Sequence, residues 1–171
     1  LTAHPLSWHN HSIRRAIGRQ PVRLHLRRDT MTAETSGPTP QVVRASAGIG
    51  RHQVAAVALA TGAGVIISLT GGERPHVGAI GVGVPRPSRL EPERTSASSS
   101  VLTVTGHRDD ALAKPLAELV ASRLGQVAVL VVGVHIDHAT PEDISRLTEN
   151  ARQALERLLA RLEEVQGAGA T

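Results

Sequence analysis

The sequence predicts a mixed α/β domain of the α+β kind, with an antiparallel β-meander followed by β-α-β-α. The strands are expected to form one mixed sheet with two helices packed on one face. Three observations support this prediction. Short apolar runs separated by glycine-containing turns fill the first half of the domain, two helical apolar patterns fill the second, and a fully apolar run lies between those helices. At 171 residues, the chain has the length of one domain.

The core of this domain must be aliphatic. Hydrophobic residues make up 40% of the chain, but there is no Phe and no Tyr, and Trp8 is the single Trp. Base stacking as single-strand nucleic-acid binders use it is therefore excluded, and a flavin ring would have to rest on aliphatic groups or on a partner protein. The absence of Cys excludes disulfides and thiolate metal sites and fits a reducing, cytoplasmic compartment.

The basic charge is confined to the N-terminal thirty residues. Of the 19 Lys and Arg and 15 Asp and Glu in the chain, residues 1–30 hold six arginines and one acid, Asp29. Residues 31–171 therefore hold 13 basic and 14 acidic residues, a net charge of −1. The body of the chain lacks the charge of a nucleic-acid binder. No apolar run approaches the ~18–20 residues of a membrane span.

Residues 1–40 are expected to be a disordered N-terminal extension. They contain four prolines and show no sustained periodicity. Met31 is the only methionine and is the expected native start, which would make residues 1–30 an upstream extension. An Arg-rich organelle presequence and a basic tail that contacts a partner are the alternatives. The domain is expected to span residues 41–165, followed by a disordered tail over residues 166–171.

The first three strands follow from apolar runs and the turns between them. Gln53–Ala60 and Val65–Thr70 are joined by Thr61–Gly64, a sequence typical of a hairpin. A second turn over Gly71–Pro75 leads into a third strand, His76–Val84.

The middle of the chain predicts a loop, a strand, a helix and a further strand. Pro85–Ser100 is rich in Pro, Arg and Ser and predicts a long loop, after which Val101–Thr105 is the fourth strand. A helix over Pro115–Leu124 is marked by proline in its first turn and by Gly125 at its end. Val127–Val134 is apolar throughout, which predicts a central strand.

The last helix has the clearest start. Thr140 is the expected N-cap, Pro141 occupies the first position, and Glu142 and Asp143 lie at the positive end of the helix dipole. The apolar stripe that docks on the sheet comprises Ile144, Leu147, Ala151, Leu155, Leu158, Leu162 and Val165. A second sheet face left exposed, or an exposed edge, would favour a dimer.

An internal repeat with an offset of 28 residues indicates a site. Residues 101–111 and 129–139 each carry His-x-Asp after a strand and before a helix. The repeated residues are His107 with Asp109 and His135 with Asp137. Because the two strands bracket one helix, they run parallel if they share a sheet, and their carboxyl ends lie at one edge. Imidazole and carboxylate without sulfur suit Zn, Mn, Fe or Ni, and His76 is a third candidate.

Structural roles compete with this interpretation. Asp109 or Asp110 directly before a helix is as compatible with an N-cap as with a ligand. A single His at a strand end is usually structural, but two units in register favour a shared site.

Two further segments are candidates for anion binding. The glycines of Gly71–His76 permit a backbone nest, and Arg74 can clamp a phosphate or carboxylate. Taken alone, this segment is more typical of a solvated hairpin turn. Thr95–Ser100 is by default a flexible linker, and a hydroxyl-lined phosphate loop if it folds over the site.

Three motifs occur in one order over residues 42–165. They are Gly72-Glu-Arg-Pro-His76-Val-Gly78-Ala, Gly106-His-Arg-Asp-Asp110 and Gly133-Val-His-Ile-Asp137-His-Ala-Thr-Pro141. Together they resemble the prenylated flavin chaperone family, the small LpdD-like D proteins that accompany gallate-type, UbiD-related decarboxylases. His138 is a departure, since the family pattern has Asn there. The resemblance implies a fold similar to proteasome assembly chaperones and a homodimer.

The resemblance also implies a function. The expected protein is a non-enzymatic cytoplasmic chaperone that binds prenylated FMN and assists its delivery to, or maturation in, a UbiD-type decarboxylase. A flavin prenyltransferase is the second expected partner. On this hypothesis a divalent metal bridges the protein to the FMN phosphate. The expected metal ligands are His76, His107, His135 and Asp137, and the expected cofactor contacts are Gly72, Arg74, Ser99, Ser100 and Asp109.

Two other functions use the same sequence features. A metal-dependent hydrolase would use the same His/Asp cluster, with a metal-bound water as its nucleophile. In a purely structural assembly chaperone, the histidines would be incidental.

Overall fold

The computed structural model describes residues 40–168. The expected disordered extension before residue 40 and the expected start at Met31 lie outside this range, as do residues 169–171. The described elements are β1 (Gln41–Ala47), β2 (Val54–Ala60), β3 (Gly64–Gly72), β4 (Ala79–Pro87), β5 (Thr95–Thr103), α1 (Asp110–Leu124), β6 (Val127–His135) and α2 (Pro141–Ala168). A short 3₁₀ turn, Gly50–His52, separates β1 from β2.

The six strands form one mixed sheet in the order β1-β2-β3-β6-β4-β5. Strand β6 pairs parallel with β3 and antiparallel with β4, and the other neighbouring pairs are antiparallel. The predicted α+β class and the central position of β6 are confirmed. Because β6 inserts between β3 and β4, the antiparallel order of the first strands is interrupted there. A strand that is apolar throughout buries most of its surface when it has neighbouring strands on both sides.

Both helices pack on the same face of the sheet. Helix α1 lies on β4, β5 and β6, whereas α2 lies on β1, β2 and β3. The core between them is aliphatic, and its largest fully buried side chains include Ile67, Leu69, Leu130, Leu155 and Leu158. At Gly81 and Gly83 a Cβ would overlap the carbonyl oxygens of Ala113 and Ala117, so glycine there lets α1 lie directly on β4.

The two edge strands differ from the sequence prediction. Strand β1 was not expected, because its buried positions Val43, Ala45 and Ala47 form only a weak apolar alternation. The loop expected over Pro85–Ser100 is shorter than predicted, since β4 continues to Pro87 and β5 begins at Thr95. Strand β5 is rich in Ser and largely exposed, so it lacks the hydrophobic pattern by which strands are recognised.

The helices begin and end at different residues from those expected. Helix α1 begins at Asp110, so Pro115 lies inside it rather than in its first position. Helix α2 begins at Pro141 as expected and continues to Ala168, beyond the predicted end. Ile144 does not dock with its stripe, since it is 56% exposed. Within the described residues, neither helix has the length and apolarity needed to cross a membrane.

Candidate functional site

The candidate site lies at one edge of the sheet, where three strands end and one begins. Strands β5 and β6 are both antiparallel to β4 and therefore run in the same direction. The parallel pairing of β3 with β6 brings the end of β3 to the same edge. The two His-x-Asp units are therefore at one edge of the sheet, as their repeat predicted, although β4 separates their strands.

Three side chains converge at this edge. The ligand atoms of His76, His107 and Asp109 all lie within 4.8 Å of one another. His76 Nε2 is 3.2 Å from Asp109 Oδ2, and His107 Nδ1 is 3.9 Å from the same oxygen. The two imidazole rings lie with their centroids 4.3 Å apart. One carboxylate oxygen thus faces two imidazoles, and it is within hydrogen-bond distance of His76.

Asp109 is held in place by the strand beside it. It occupies the N-cap position of α1, but its side chain makes no capping hydrogen bond. Instead, the backbone N–H of Val134 donates to Asp109 Oδ1 at 3.0 Å. Asp109 is the one buried charged residue in the described part of the chain, at 7% exposure. The capping alternative therefore fails, and the second oxygen of Asp109 is directed at the histidines.

The hydrogen bonds of His76 determine which of its nitrogens is available. Nδ1 lies 3.0 Å from the carbonyl oxygen of Arg74, an acceptor to which it can only donate. In the neutral ring, Nε2 then carries a lone pair, and that lone pair is directed at the carboxylate oxygen of Asp109. Two acceptors at 3.2 Å require a proton or a cation between them. A metal-binding His usually donates the N–H of its other ring nitrogen to an acceptor such as a backbone carbonyl, as His76 does here.

The second His-x-Asp unit forms a network of its own beside the first. His135 Nε2 lies 3.0 Å from Asp137 Oδ1, and Arg74 forms an ion pair with Asp137, its Nη2 lying 2.6 Å from Asp137 Oδ2. The Glu73 carboxylate accepts the Asp137 backbone N–H at 3.0 Å. The His135 ring is 6.0 Å from that of His76. The structure thus places His135 close to the three converging ligands, while both oxygens of Asp137 are already paired.

Of the remaining expected cofactor contacts, Gly72 lies beside His135 but has no free N–H, whereas Ser99 and Ser100 lie away from the histidines. The N–H of Gly72 donates to the carbonyl oxygen of Gln53. The N–H groups of Glu73 and Arg74 both donate to the carbonyl oxygen of His135. The turn therefore lacks the free donors expected of an anion nest. Ser99 donates to Glu118 of α1 at 3.0 Å. Ser100 pairs with Val82 in mid-strand rather than in a loop near the histidines.

Charge and exposure suit an anionic ligand at the cluster. One carboxylate and two neutral imidazoles would leave a bound divalent ion with a net positive charge. The Arg74 side chain is 70% exposed, and those of His76 and His107 are 21% and 35% exposed. A phosphate arriving from solvent could therefore reach both the guanidinium and a metal at the histidines.

Sequence reasoning missed Arg51, which supports the second network through Glu73. Arg51 Nε lies 3.7 Å from Glu73 Oε1, and Arg51 also donates to the carbonyl oxygen of Asp137. Nothing in the sequence marks Arg51, because it contacts residues that are distant along the chain.

One family model matches the chain. It is described as the prenylated flavin chaperone LpdD-like domain, and it covers residues 48–163, more than half of the chain and all of the residues at the candidate site. The match confirms the resemblance of the three motifs. No curated protein matches the chain.

Proposed function

Because the chain belongs to the prenylated flavin chaperone LpdD-like family, we propose that it is a non-enzymatic chaperone that binds prenylated FMN through its phosphate and a divalent transition metal. It would assist the delivery of this cofactor to, or its maturation in, a UbiD-type decarboxylase. The observation that supports a metal site is the convergence of two imidazole nitrogens on one oxygen of Asp109. Zn, Mn, Fe and Ni all accept this donor set.

Each residue has a distinct role in this proposal. His76, His107 and Asp109 hold the metal, and the Val134 N–H and the Arg74 carbonyl fix the orientation of two of these ligands. The metal would supply a Lewis-acidic contact for the phosphate oxygens. Arg74 would add a charge-assisted hydrogen bond to the same phosphate.

The anchoring mode suits a carrier. The described residues contain no Phe, Tyr or Trp that could stack on the flavin ring, and in this proposal the phosphate end is the main anchor. Attachment at the phosphate would leave the ring accessible for transfer. We further propose a cytoplasmic homodimer that receives the cofactor from a flavin prenyltransferase.

The test is a binding titration with matched variants of the full chain. Prenylated FMN, kept free of oxygen, is titrated into protein loaded with Mn²⁺ or Zn²⁺ and into metal-free protein. We expect His107→Ala and Asp109→Asn each to weaken metal and cofactor binding by about 10-fold or more. His138→Asn is the control, because His138 lies at the same edge but outside the cluster. Dephosphorylated prenylated flavin should bind weakly to every form.

The outcomes separate the three candidate functions. Unchanged cofactor affinity in Asp109→Asn would refute anchoring through the metal. Turnover of a simple phosphomonoester by the metal-loaded protein, lost in the same variant, would instead support a hydrolase. A protein that binds neither metal nor flavin would leave only the structural chaperone.

A further inference from the structure

The edge of the sheet that carries the candidate site also carries exposed aliphatic side chains. Four of them surround the histidines, and we call them the aliphatic rim: Ile49, Val77, Val104 and Ile144. They belong in turn to the β1–β2 turn, the β3–β4 segment, the β5–α1 segment and the first turn of α2. Scattered apolar residues are normal on protein surfaces, but a group gathered around a candidate site indicates an interaction surface.

The pairing of the strands places the whole aliphatic rim at this edge. Val54 at the start of β2 pairs with Gly71 at the end of β3, so the β1–β2 turn lies beside the end of β3. The N–H of Val104 donates to the carbonyl oxygen of Gly78 at 2.8 Å, which brings the β5–α1 segment next to Val77. Helix α2 follows the end of β6 at the same edge. A molecule that approaches the histidines from solvent therefore meets the rim as well.

Ile49 is presented by a firmly built turn, although its side chain is 87% exposed. The glycines on both sides of it, Gly48 and Gly50, have positive φ angles of 75° and 56°. Asn150 of α2 donates to the carbonyl oxygen of His52 at 2.7 Å, and a Cβ at Gly48 would overlap both groups. Because the turn is fixed and Ile is stiff about χ1, covering this side chain costs little conformational entropy.

The same turn is tied to the second His-x-Asp network. Arg51 follows Ile49 by two residues and donates to the backbone carbonyl oxygen of Asp137 at 3.4 Å. Its Nε lies 3.7 Å from Glu73 Oε1. The position of Ile49 is therefore fixed relative to the candidate site.

A depression lies between this turn and the first turns of α2. Its volume is about 410 Å³, and its lining includes Ile49, His52, Ser145 and Asn150. The turn thus offers a partner a projecting aliphatic side chain and a recess beside it. Anchor residues in protein interfaces are typically arranged in this way.

Most charged side chains at this edge are already paired within the chain. The pairs are Arg51 with Glu73, Arg74 with Asp137, and His52 with Asp143. A partner can therefore cover the edge without leaving many buried charges unpaired. Arg108 is different, because it is exposed and forms no ion pair with any residue from 40 to 168. It predicts a carboxylate at the facing position of the partner.

The size of the edge suits a transient contact. Six strands about 4.8 Å apart give a width of roughly 24 Å, and the sheet and helix layers together are roughly 20 Å deep. A partner that covers this area buries roughly 500 Å² on each side, or about 1,000 Å² in total, which is typical of transient complexes. A carrier has to separate from its recipient after each delivery.

We propose that the aliphatic rim is the surface on which the cofactor-receiving decarboxylase docks, with Ile49 as its main anchor. This inference rests on the proposed function, in which the same edge holds the phosphate end of prenylated FMN. Docking at the rim places the recipient directly over the histidines, so that no bulk solvent separates the bound cofactor from its destination. It also gives a role to Ile144, which lies in the apolar stripe of α2 but is not packed on the sheet.

The experiment measures binding of the full chain to the gallate-type, UbiD-related decarboxylase of the same organism, produced without prenylated FMN. Biolayer interferometry is carried out with the chaperone free of metal and cofactor, and again with both bound. We expect Ile49→Asp to weaken binding by about 30-fold or more, and Arg108→Glu by about 10-fold. Leu90→Asp is the control, because Leu90 is 93% exposed but lies in the β4–β5 loop at the opposite edge.

Single cysteines give a second measurement without a disruptive change, because the chain has no Cys of its own. Labelling of Ile49→Cys by a maleimide should slow by about 10-fold or more at saturating decarboxylase, because docking covers the thiol. Leu90→Cys should label at the same rate with and without the decarboxylase.

Three results would overturn the proposal. They are a wild-type chain that binds the decarboxylase in neither state, equal affinities of Ile49→Asp and Leu90→Asp, and an Ile49→Cys thiol that stays fully reactive in the complex. Protection of that thiol by a flavin prenyltransferase alone would assign the rim to the donor enzyme instead.

Failure of docking and failure of the proposed function give different results. If the chain binds prenylated FMN but not the decarboxylase, cofactor binding stands and the docking surface is refuted. If the metal-free chain binds the decarboxylase through Ile49 but no form binds the cofactor, the docking surface stands and the carrier function is refuted.

Discussion

Two glycines allow the segment around His76 to approach its neighbours closely. A Cβ at Gly78 would overlap Asp109 Oδ2 and lie 2.8 Å from His76 Nε2. A Cβ at Gly133 would overlap the backbone carbonyl oxygen of His76. Neither glycine has a positive φ, so it is space rather than backbone conformation that demands glycine. The two positions differ in what a methyl group would meet, a side chain at one and the main chain at the other.

We predict that Gly78→Ala removes metal binding while the fold survives. The added methyl group pushes the Asp109 carboxylate away from the histidines, and a side chain can move without unfolding the protein. Metal affinity measured by calorimetry should fall by about 10-fold or more. Gly133→Ala should instead cost about 2–3 kcal/mol of unfolding free energy in urea, because it clashes with main chain. Full metal affinity in Gly78→Ala would contradict the geometry at Asp109.

The candidate site could be predicted from the sequence only in part. The repeat of His-x-Asp after two strands was sufficient to place His107 and His135 at one edge, and His76 was named as a separate candidate. The sequence prediction took Asp137 as a metal ligand and Asp109 as a cofactor contact, although the two have equivalent sequence contexts. Our proposal of Asp109 as the metal ligand rests instead on the ion pair of Arg74 with Asp137 and on the Val134 N–H that aligns Asp109.

At the scale of elements, the start of α2 is the most strongly specified feature. Thr140 and Asp143 cap each other: the Thr140 N–H and hydroxyl lie 2.9 Å from Asp143 Oδ2, and the Asp143 N–H donates to Thr140 Oγ1 at 3.2 Å. His52 Nε2 lies 2.7 Å from the other carboxylate oxygen, Asp143 Oδ1, and Arg51 Nη2 lies 3.9 Å from Asp143 Oδ2. The Thr140 backbone bond, followed by the His52 bond, lowers the pKa of Asp143 well below its ordinary value.

This cap predicts a specific response to acid. Because the folded-state pKa of Asp143 is lowered, its stabilising effect is complete above the ordinary pKa of about 3.9 and is lost as pH falls below it. We expect the Tm to fall more steeply in the wild-type chain than in Asp143→Asn as the pH is lowered below about 4. Glu142→Gln is the control, because Glu142 is exposed and pairs only with Arg146. Parallel pH profiles for all three proteins would refute this role of the cap.

Element types were predictable where local signals are strong. The hairpin at Thr61–Gly64 closes as expected, with Thr61 donating to the Gly64 carbonyl and Gly62 at φ 85°. Strand β1 and the first part of β5 were not predictable, because Ala and Ser side chains give no clear apolar alternation. Their positions follow from pairing with β2 and β4, which are recognisable strands.

At the scale of the whole molecule, the candidate metal ligands tie distant parts of the chain together. His76 precedes β4, and His107 and Asp109 lie in the segment between β5 and α1. Asp109 also accepts a hydrogen bond from Val134 of β6. A cation at this junction would stabilise the folded state but not the unfolded chain, in which the ligands are separated.

We therefore predict a thermal shift that depends on metal. At a free metal concentration about 100 times the Kd, the added stability is about 2.7 kcal/mol, equivalent to a rise in Tm of roughly 5–10 °C. Scanning calorimetry with Mn²⁺, Zn²⁺ or Ni²⁺ should show this rise, and EDTA should reverse it. The rise should be absent in His107→Ala and retained in His138→Asn. An equal shift in all three proteins would mean that the metal binds elsewhere.

The sequence by itself determined the α+β class, the two helices, the central β6 and the edge of the sheet where the histidines gather. These features depend on local periodicity, capping residues and chain order, which neighbouring residues encode. Tertiary structure alone decided the insertion of β6 between β3 and β4, the placement of Asp109 beside His76 and His107, and the exposure of the sheet face opposite the helices. Each of these depends on contacts between residues far apart in the chain, and such contacts exist only once the sheet has assembled.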